Sequence, residues 1–164
     1  MIKLQVQTSA GAFLVYDKKR LKKLMRQAGQ EVAAVARALI RRSKGSGRAY
    51  RHAGAPHQAS GPGQPPAMVT GALLRGIKVR PFKSGDGVAV RDSQFYALIL
   101  QTGARGGGSK GGKGVRNRRG QAGTARVMAP RPFLTVALDQ RAASLQARIR
   151  DAVLHDIAFK KQKA

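Results

Sequence analysis

The chain of 164 residues has no cysteine, no tryptophan, few aromatics, and only 7 acidic residues against 32 Lys and Arg. Each shortage excludes a class of chemistry. Without thiols there are no disulfides and no thiolate metal centres. Hard cations want several oxygen ligands and hydrolysis wants a base, and so few carboxylates, Glu31 being the only Glu, leave little for either. Aromatics make up 5% of the residues, which leaves few platforms for stacking nucleic-acid bases. No apolar run approaches the roughly 18 to 20 residues of a membrane span, and the start MIKLQVQTSAG lacks the charged-then-apolar order of a signal peptide. These features predict a soluble, unexported protein that does not insert into a membrane.

What remains is charge and a modest apolar fraction. The formal net charge is 32 − 7 = +25, while 42% of the residues are hydrophobic, enough for one domain-sized core. Such a charge repels itself and attracts polyanions at long range. Phosphate and clustered carboxylate obey the same Coulomb law, so composition leaves nucleic acid, an acidic protein ring and a membrane surface as candidate partners.

Residues 17 to 43 read as a long helix, with Leu21, Leu24, Ala28, Val32, Val35 and Leu39 recurring at helical spacing. Asp17 is placed to cap its start, and Lys44-Gly45-Ser46-Gly47 to end it. At about 100° per residue, Lys19, Lys22, Lys23, Arg26, Arg37 and Arg41 gather opposite that stripe, forming a candidate surface for DNA or another anionic partner. Residues 44 to 69, rich in Gly, Pro and Ser, predict a loop or extended arm, disordered in isolation, with Tyr50, Pro56, Pro62, Pro65 and Pro66 as candidate subunit-interface residues. Thr70 is positioned to cap a short helical turn. Ile77 to Arg80 and Val88 to Arg91, joined through Gly85-Asp86-Gly87, predict a β-hairpin. Phe95 to Leu100 fits either a buried strand or a helical turn. Phe82, Phe95, Tyr96 and Phe133 read as core aromatics.

Residues 102 to 126 differ in kind. Glycines separate Arg105, Lys110, Lys113, Arg116, Arg118 and Arg119, with no acid among them, which predicts a mobile basic loop offering a second anionic-partner surface. Pro130 and Pro132 then lead into a second long helix with Leu134, Leu138, Leu145, Ile149, Val153 and Ile157 as its stripe. Two long helices and a small antiparallel sheet with a hairpin and long Gly-rich loops define an α+β fold. We expect one domain over 1–164, its core at about 17–43, 70–101 and 127–157.

Catalytic patterns are weak. Gly107 to Gly114 nearly matches a phosphate-binding loop, but Gly114 stands where Ser or Thr should follow the lysine, and no helix opens there. Asp86 and Asp92 flank a strand at a spacing that puts both on one face, a meagre ion pair beside the plain alternative of a turn Asp and a strand-end Asp. His52, His57 and His155 show no third ligand. Ser60 lacks the strand-turn-helix setting of a nucleophile elbow. We expect no enzyme and no cofactor or metal.

The order of segments is more informative than any single one. A long helix is followed by Ala59-Ser60-Gly61-Pro62-Gly63-Gln64-Pro65-Pro66-Ala67 running into Thr70-Gly71-Ala72-Leu73-Leu74 and a hairpin. Next come Tyr96-Ala97 with Gln101-Thr102-Gly103, a variable loop, and Ala129-Pro130-Arg131-Pro132-Phe133-Leu134 opening a last helix. Over roughly residues 17 to 157 this resembles the tail-completion family of tailed bacteriophages, the head-to-tail joining proteins of the neck. The resemblance implies a virion structural protein, assembled in the host cytoplasm, that forms a homo-oligomeric ring of six subunits. Its neighbours would be a head-closure protein and a tail terminator or tail tube protein, with genome DNA in the lumen. The chain departs from the family pattern in three ways: Gln101 replaces an acidic residue, the first helix is unusually basic, and the Gly-rich insert is long. The alternative is a stand-alone basic nucleic-acid-binding protein of ribosomal or nucleoid type.

Overall fold

A computed structural model describes residues 2–5, 17–105 and 127–161, with side chains described for 17–104 and 128–155. Lys110, Lys113, Arg116, Arg118 and Arg119 lie outside the described residues. The fold is α+β, with a long helix near each end and small antiparallel sheets between them.

Helix α1, Lys18–Arg42, starts where Asp17 accepts backbone hydrogen bonds from Lys19, at 2.8 Å, and Arg20, at 3.3 Å. These satisfy amide groups that the first helical turn leaves without partners. Its buried positions are Leu21, Met25, Ala28, Gly29, Val32, Ala33, Ala36 and Ile40. That face is broader than the expected stripe and turned about 60° from it at 100° per residue, because two different surfaces cover it. One flank lies on a three-stranded antiparallel sheet of order β1-β5-β4, built from Ile2–Gln5, Gly87–Asp92 and Ile77–Pro81. Strands β4 and β5 form the expected hairpin, with Val79 opposite Val90. Strand β1, which pairs Ile2 with Val90, was not anticipated.

The helix comes close to the sheet at Gly29. A β-carbon there would sit 2.8 Å from methyl groups of both Val79 and Val88, closer than atoms pack, so the absent side chain sets the interlayer distance.

The other flank of α1 carries helix α4, Leu134–Lys161. The two run antiparallel: near one end the Arg20 guanidinium lies 3.2 Å from His155 Nδ1, and further along Arg148 donates to Glu31 Oε1 at 2.6 Å. Leu134, Ala137, Leu145 and Ala152 are buried on α4, with Leu138 and Ile149 partly covered. The main core joins Val32, Ala36, Ile40, Leu73, Ile77, Val90 and Leu134 around Phe133, which has 0% of its surface exposed.

The segment after α1 is not a featureless loop. Strands β2, Ala49–His52, and β3, Ala55–Gln58, form an antiparallel hairpin, with Tyr50 opposite His57. The rest of the segment folds back on the domain: Ser43 Oγ donates to the Pro65 carbonyl at 2.5 Å, the Gly63 amide donates to the Pro130 carbonyl at 2.9 Å, and Pro66 is buried. A short helix α2, Ala72–Gly76, follows, with Thr70 Oγ1 accepting the Ala72 amide at 3.4 Å although Gly71 holds the cap position. Phe95 to Leu100 resolves as a helical turn leading into α3, Ala97–Thr102.

Candidate functional site

Three features of the structure could meet a partner. The first is a junction between sequence segments about 30 residues apart. Gln101, at the end of α3, accepts the backbone amides of Phe133, at 3.1 Å, and Leu134, at 3.2 Å, through Oε1, and donates from Nε2 to Thr135 Oγ1 at 2.7 Å. A residue remote in sequence thereby caps α4. The Arg131 amide donates to the Leu100 carbonyl at 2.7 Å, and the two-residue strands β6, Ala104–Arg105, and β7, Val127–Met128, pair antiparallel beside it. Gly103 has φ of +76°, and a β-carbon there would meet the Met128 carbonyl oxygen at 2.7 Å, so glycine is required for backbone and backbone to touch. The Gln-Thr-Gly and Pro-Arg-Pro-Phe segments are thus one structural unit, which holds together the two ends of residues 106–126.

The second feature is a cleft of about 470 Å³ between the β2–β3 hairpin, α2 and α3. Ile40, Leu73, Leu74, Leu100 and Tyr96 give it apolar walls, and half-exposed Met68 and Val69 stand on its lining. Two polar groups in that lining lack partners among the described residues: Ser60 Oγ, in a residue only 1% exposed, and the buried Nε of Arg131. Leaving a buried donor unpaired costs about 1–3 kcal/mol, more for a charged group. Tyr96 has its hydroxyl pushed above the ordinary tyrosine range, first by burial and second by the charge of Asp92. Beside the cleft, α3 turns Phe95, 87% exposed, together with Leu98, 63% exposed, and Ile99 to the outside. Phe95 is therefore not the core residue its apolar neighbours suggested: at helical spacing it shares the outer face with Leu98, while Tyr96, Ala97 and Leu100 turn inward.

The third feature is the distribution of charge. Lys19, Lys22, Lys23, Arg26 and Arg41 are exposed on α1 as the spacing predicts. Arg37 departs from this set. Because the buried face of α1 is rotated toward it, Arg37 is partly covered and donates to the Ile77 carbonyl at 2.6 Å, tying helix to strand. Arg105, the last described residue before position 127, stands in β6. The sheet supplies a basic surface that helical periodicity could not reveal. Lys78 and Arg80 alternate outward on β4, and the register sets Lys78 opposite Arg91 on β5. Like charges across a strand pair repel, which marks this face as one that an anion would stabilise. The signal was legible as the alternation Ile-Lys-Val-Arg.

Of the arm residues expected at an interface, Tyr50 lines the cleft and packs edge-on against His57 with ring centres 5.0 Å apart. Pro56 and Pro62 are exposed, whereas Pro65 and Pro66 are engaged within the chain.

Asp86 and Asp92 do not form an ion site. Six residues of strand set them about 20 Å apart. Asp86 accepts a hydrogen bond from Ser84 in the turn, and Asp92 accepts the Gln94 amide at 2.8 Å. Burial holds the Asp92 carboxyl above its usual range, partly offset by that amide. Among the described residues no three His, Asp or Glu gather in a metal-holding group, and no helix is long and apolar enough to cross a membrane. In comparisons with protein-family models, with curated proteins and with solved structures, nothing matches this chain.

Proposed function

We propose that the chain is a non-enzymatic structural protein of the tailed-phage neck, a ring-forming subunit that completes the tail and joins it to the head, with DNA passing through the lumen. The observation that carries this reading is the junction at Gln101. Two of the segments on which the family resemblance rests, Gln101-Thr102-Gly103 and Ala129 to Leu134, are joined by three side-chain contacts of Gln101, the position where the chain departs from the family pattern, and the residues flanking them by a backbone ladder. A pattern of scattered short motifs thus corresponds to one physical unit, as motifs of shared structural origin should.

Charge selects the self-contact. Copies bearing +25 repel unless they meet through an uncharged surface, and Phe95 to Thr102 contains no ionisable residue except the partly buried Tyr96. The exposed Phe95, Leu98 and Ile99 form that surface. Closed rotational symmetry then collects the basic faces into a positive collar for DNA backbone or for acidic neighbouring rings.

The Lys78, Arg80 and Arg91 sheet face also favours a second reading, a stand-alone protein that grips nucleic-acid phosphates. Protein freed of nucleic acid at about 0.5 M salt separates the two. The neck reading expects rings by electron microscopy, or stacking onto tail tubes. A persistent monomer that binds RNA tightly overturns it.

A further inference from the structure

We propose that the cleft beside α2 is a docking site for an extended peptide segment of a partner protein, one that carries a single carboxylate between apolar residues. The site stands independently of the ring reading, since it rests only on the chemistry of the cleft.

The first argument is electrostatic. Among the described residues Arg131 is the only permanently charged one lining the cleft, and no acid lines it. Its Nε is buried without a partner among the described residues, and so is the Ser60 hydroxyl. A carboxylate that displaced the side chains covering these two atoms would accept from them in charge-assisted hydrogen bonds, about twice as strong as neutral ones. Apolar residues on either side of that carboxylate would occupy the space between Leu73, Leu100 and Ile40.

The second argument identifies the ligand as polypeptide. Ala67, Met68 and Val69 line the cleft, and among the described residues no backbone hydrogen bond involves their amides or carbonyls. A run of unpaired backbone beside an apolar channel fits strand addition, in which main-chain bonds supply affinity and pockets supply specificity.

The third argument excludes a second copy as donor. Of the 7 acidic residues, Asp17 caps α1, Glu31 pairs with Arg148, Asp86 lies in a turn, Asp92 is partly buried on β5, and Asp139, Asp151 and Asp156 lie on α4. Each of these carboxylates is thus held at a helix cap, in a turn, on a paired strand or on a helix of its own copy.

The test selects binders to the full-length chain from a randomised library of terminally blocked hexapeptides, at about 0.5 M salt so that non-specific attraction to the basic faces is screened. The expected product is one Asp or Glu flanked by aliphatic residues. Its binding should shift amide resonances at residues 67–74, and replacing the acid by its amide should weaken it about tenfold or more. Arg131→Leu should erase that acid preference, and Ser60→Ala, a milder change should the first disturb folding, should reduce affinity several-fold. Absence of any selected sequence, clustered acids that bind Arg131→Leu equally well, or self-association through this cleft that Arg131→Leu abolishes would each overturn the proposal.

Discussion

The two ends of the molecule are built on opposite rules. Around Gly29, α1 meets β4 and β5 so closely that no β-carbon fits, and Met25, Val88 and Val32 fill the layer. Around α3, a cleft of about 470 Å³ retains unpaired Ser60 and Arg131 donors, and Phe95 and Leu98 face outward. One end stabilises the chain by itself. The other leaves two buried donors without partners among the described residues and turns apolar side chains outward, and exposed apolar patches of this kind mark interaction surfaces. The contrast separates residues that fold the protein from residues that are available for assembly.

Substitutions can break or sharpen this contrast. The largest effect is expected from Phe133→Ala, which removes from the main core the most buried aromatic among the described residues. It should cost about 3–5 kcal/mol of unfolding free energy in denaturant titration. Gly29→Ala gains helix propensity of about 1 kcal/mol but overpacks the two valines, and should cost about 1–2 kcal/mol net. Peptide binding at the cleft should be unchanged by it.

Gln101→Ala removes the remote cap of α4 and should cost about 1 kcal/mol, whereas Gln101→Glu, which places negative charge at a helix N-terminus, should restore most of it. The smallest effect concerns Asp92. Its carboxyl is raised in the folded state, so its ionisation opposes folding. Stability should therefore increase as pH falls through the raised value toward the ordinary 3.8, below which both states are protonated and the gain is complete. Thermal melts of Asp92→Asn should lack this component of the acid slope.

Much of the fold was legible because it is periodic. Apolar spacing marked both long helices, Asp17 signalled the start of α1, and Gly85-Asp86-Gly87 with alternating flanks marked the β4–β5 hairpin. The misses share a cause, in that they depend on contacts between remote segments. Arg37 looked like its basic neighbours until the strand carbonyl of Ile77 claimed it. Phe95 looked like core because composition cannot tell the inner from the outer side of one short helix. The Gly/Pro segment hid a hairpin, since its strands are held by pairing with each other and by the Ser46 and Gly47 amides on the Ala59 carbonyl, contacts that composition does not show. The cleft was invisible for the same reason: its walls come from α1, the hairpin, α2, α3 and the turn before α4.

The account depends most on the claim that the uncharged outer face of α3 joins copies into a ring while the packed end folds each copy. Sedimentation velocity on nucleic-acid-free protein at about 0.5 M salt tests it, with wild type compared to Leu98→Asp. The account predicts a closed oligomer for wild type and a folded monomer for Leu98→Asp, because that side chain is 63% exposed and contributes little to the core. A monomeric wild type, or an oligomer indifferent to the substitution, would contradict it.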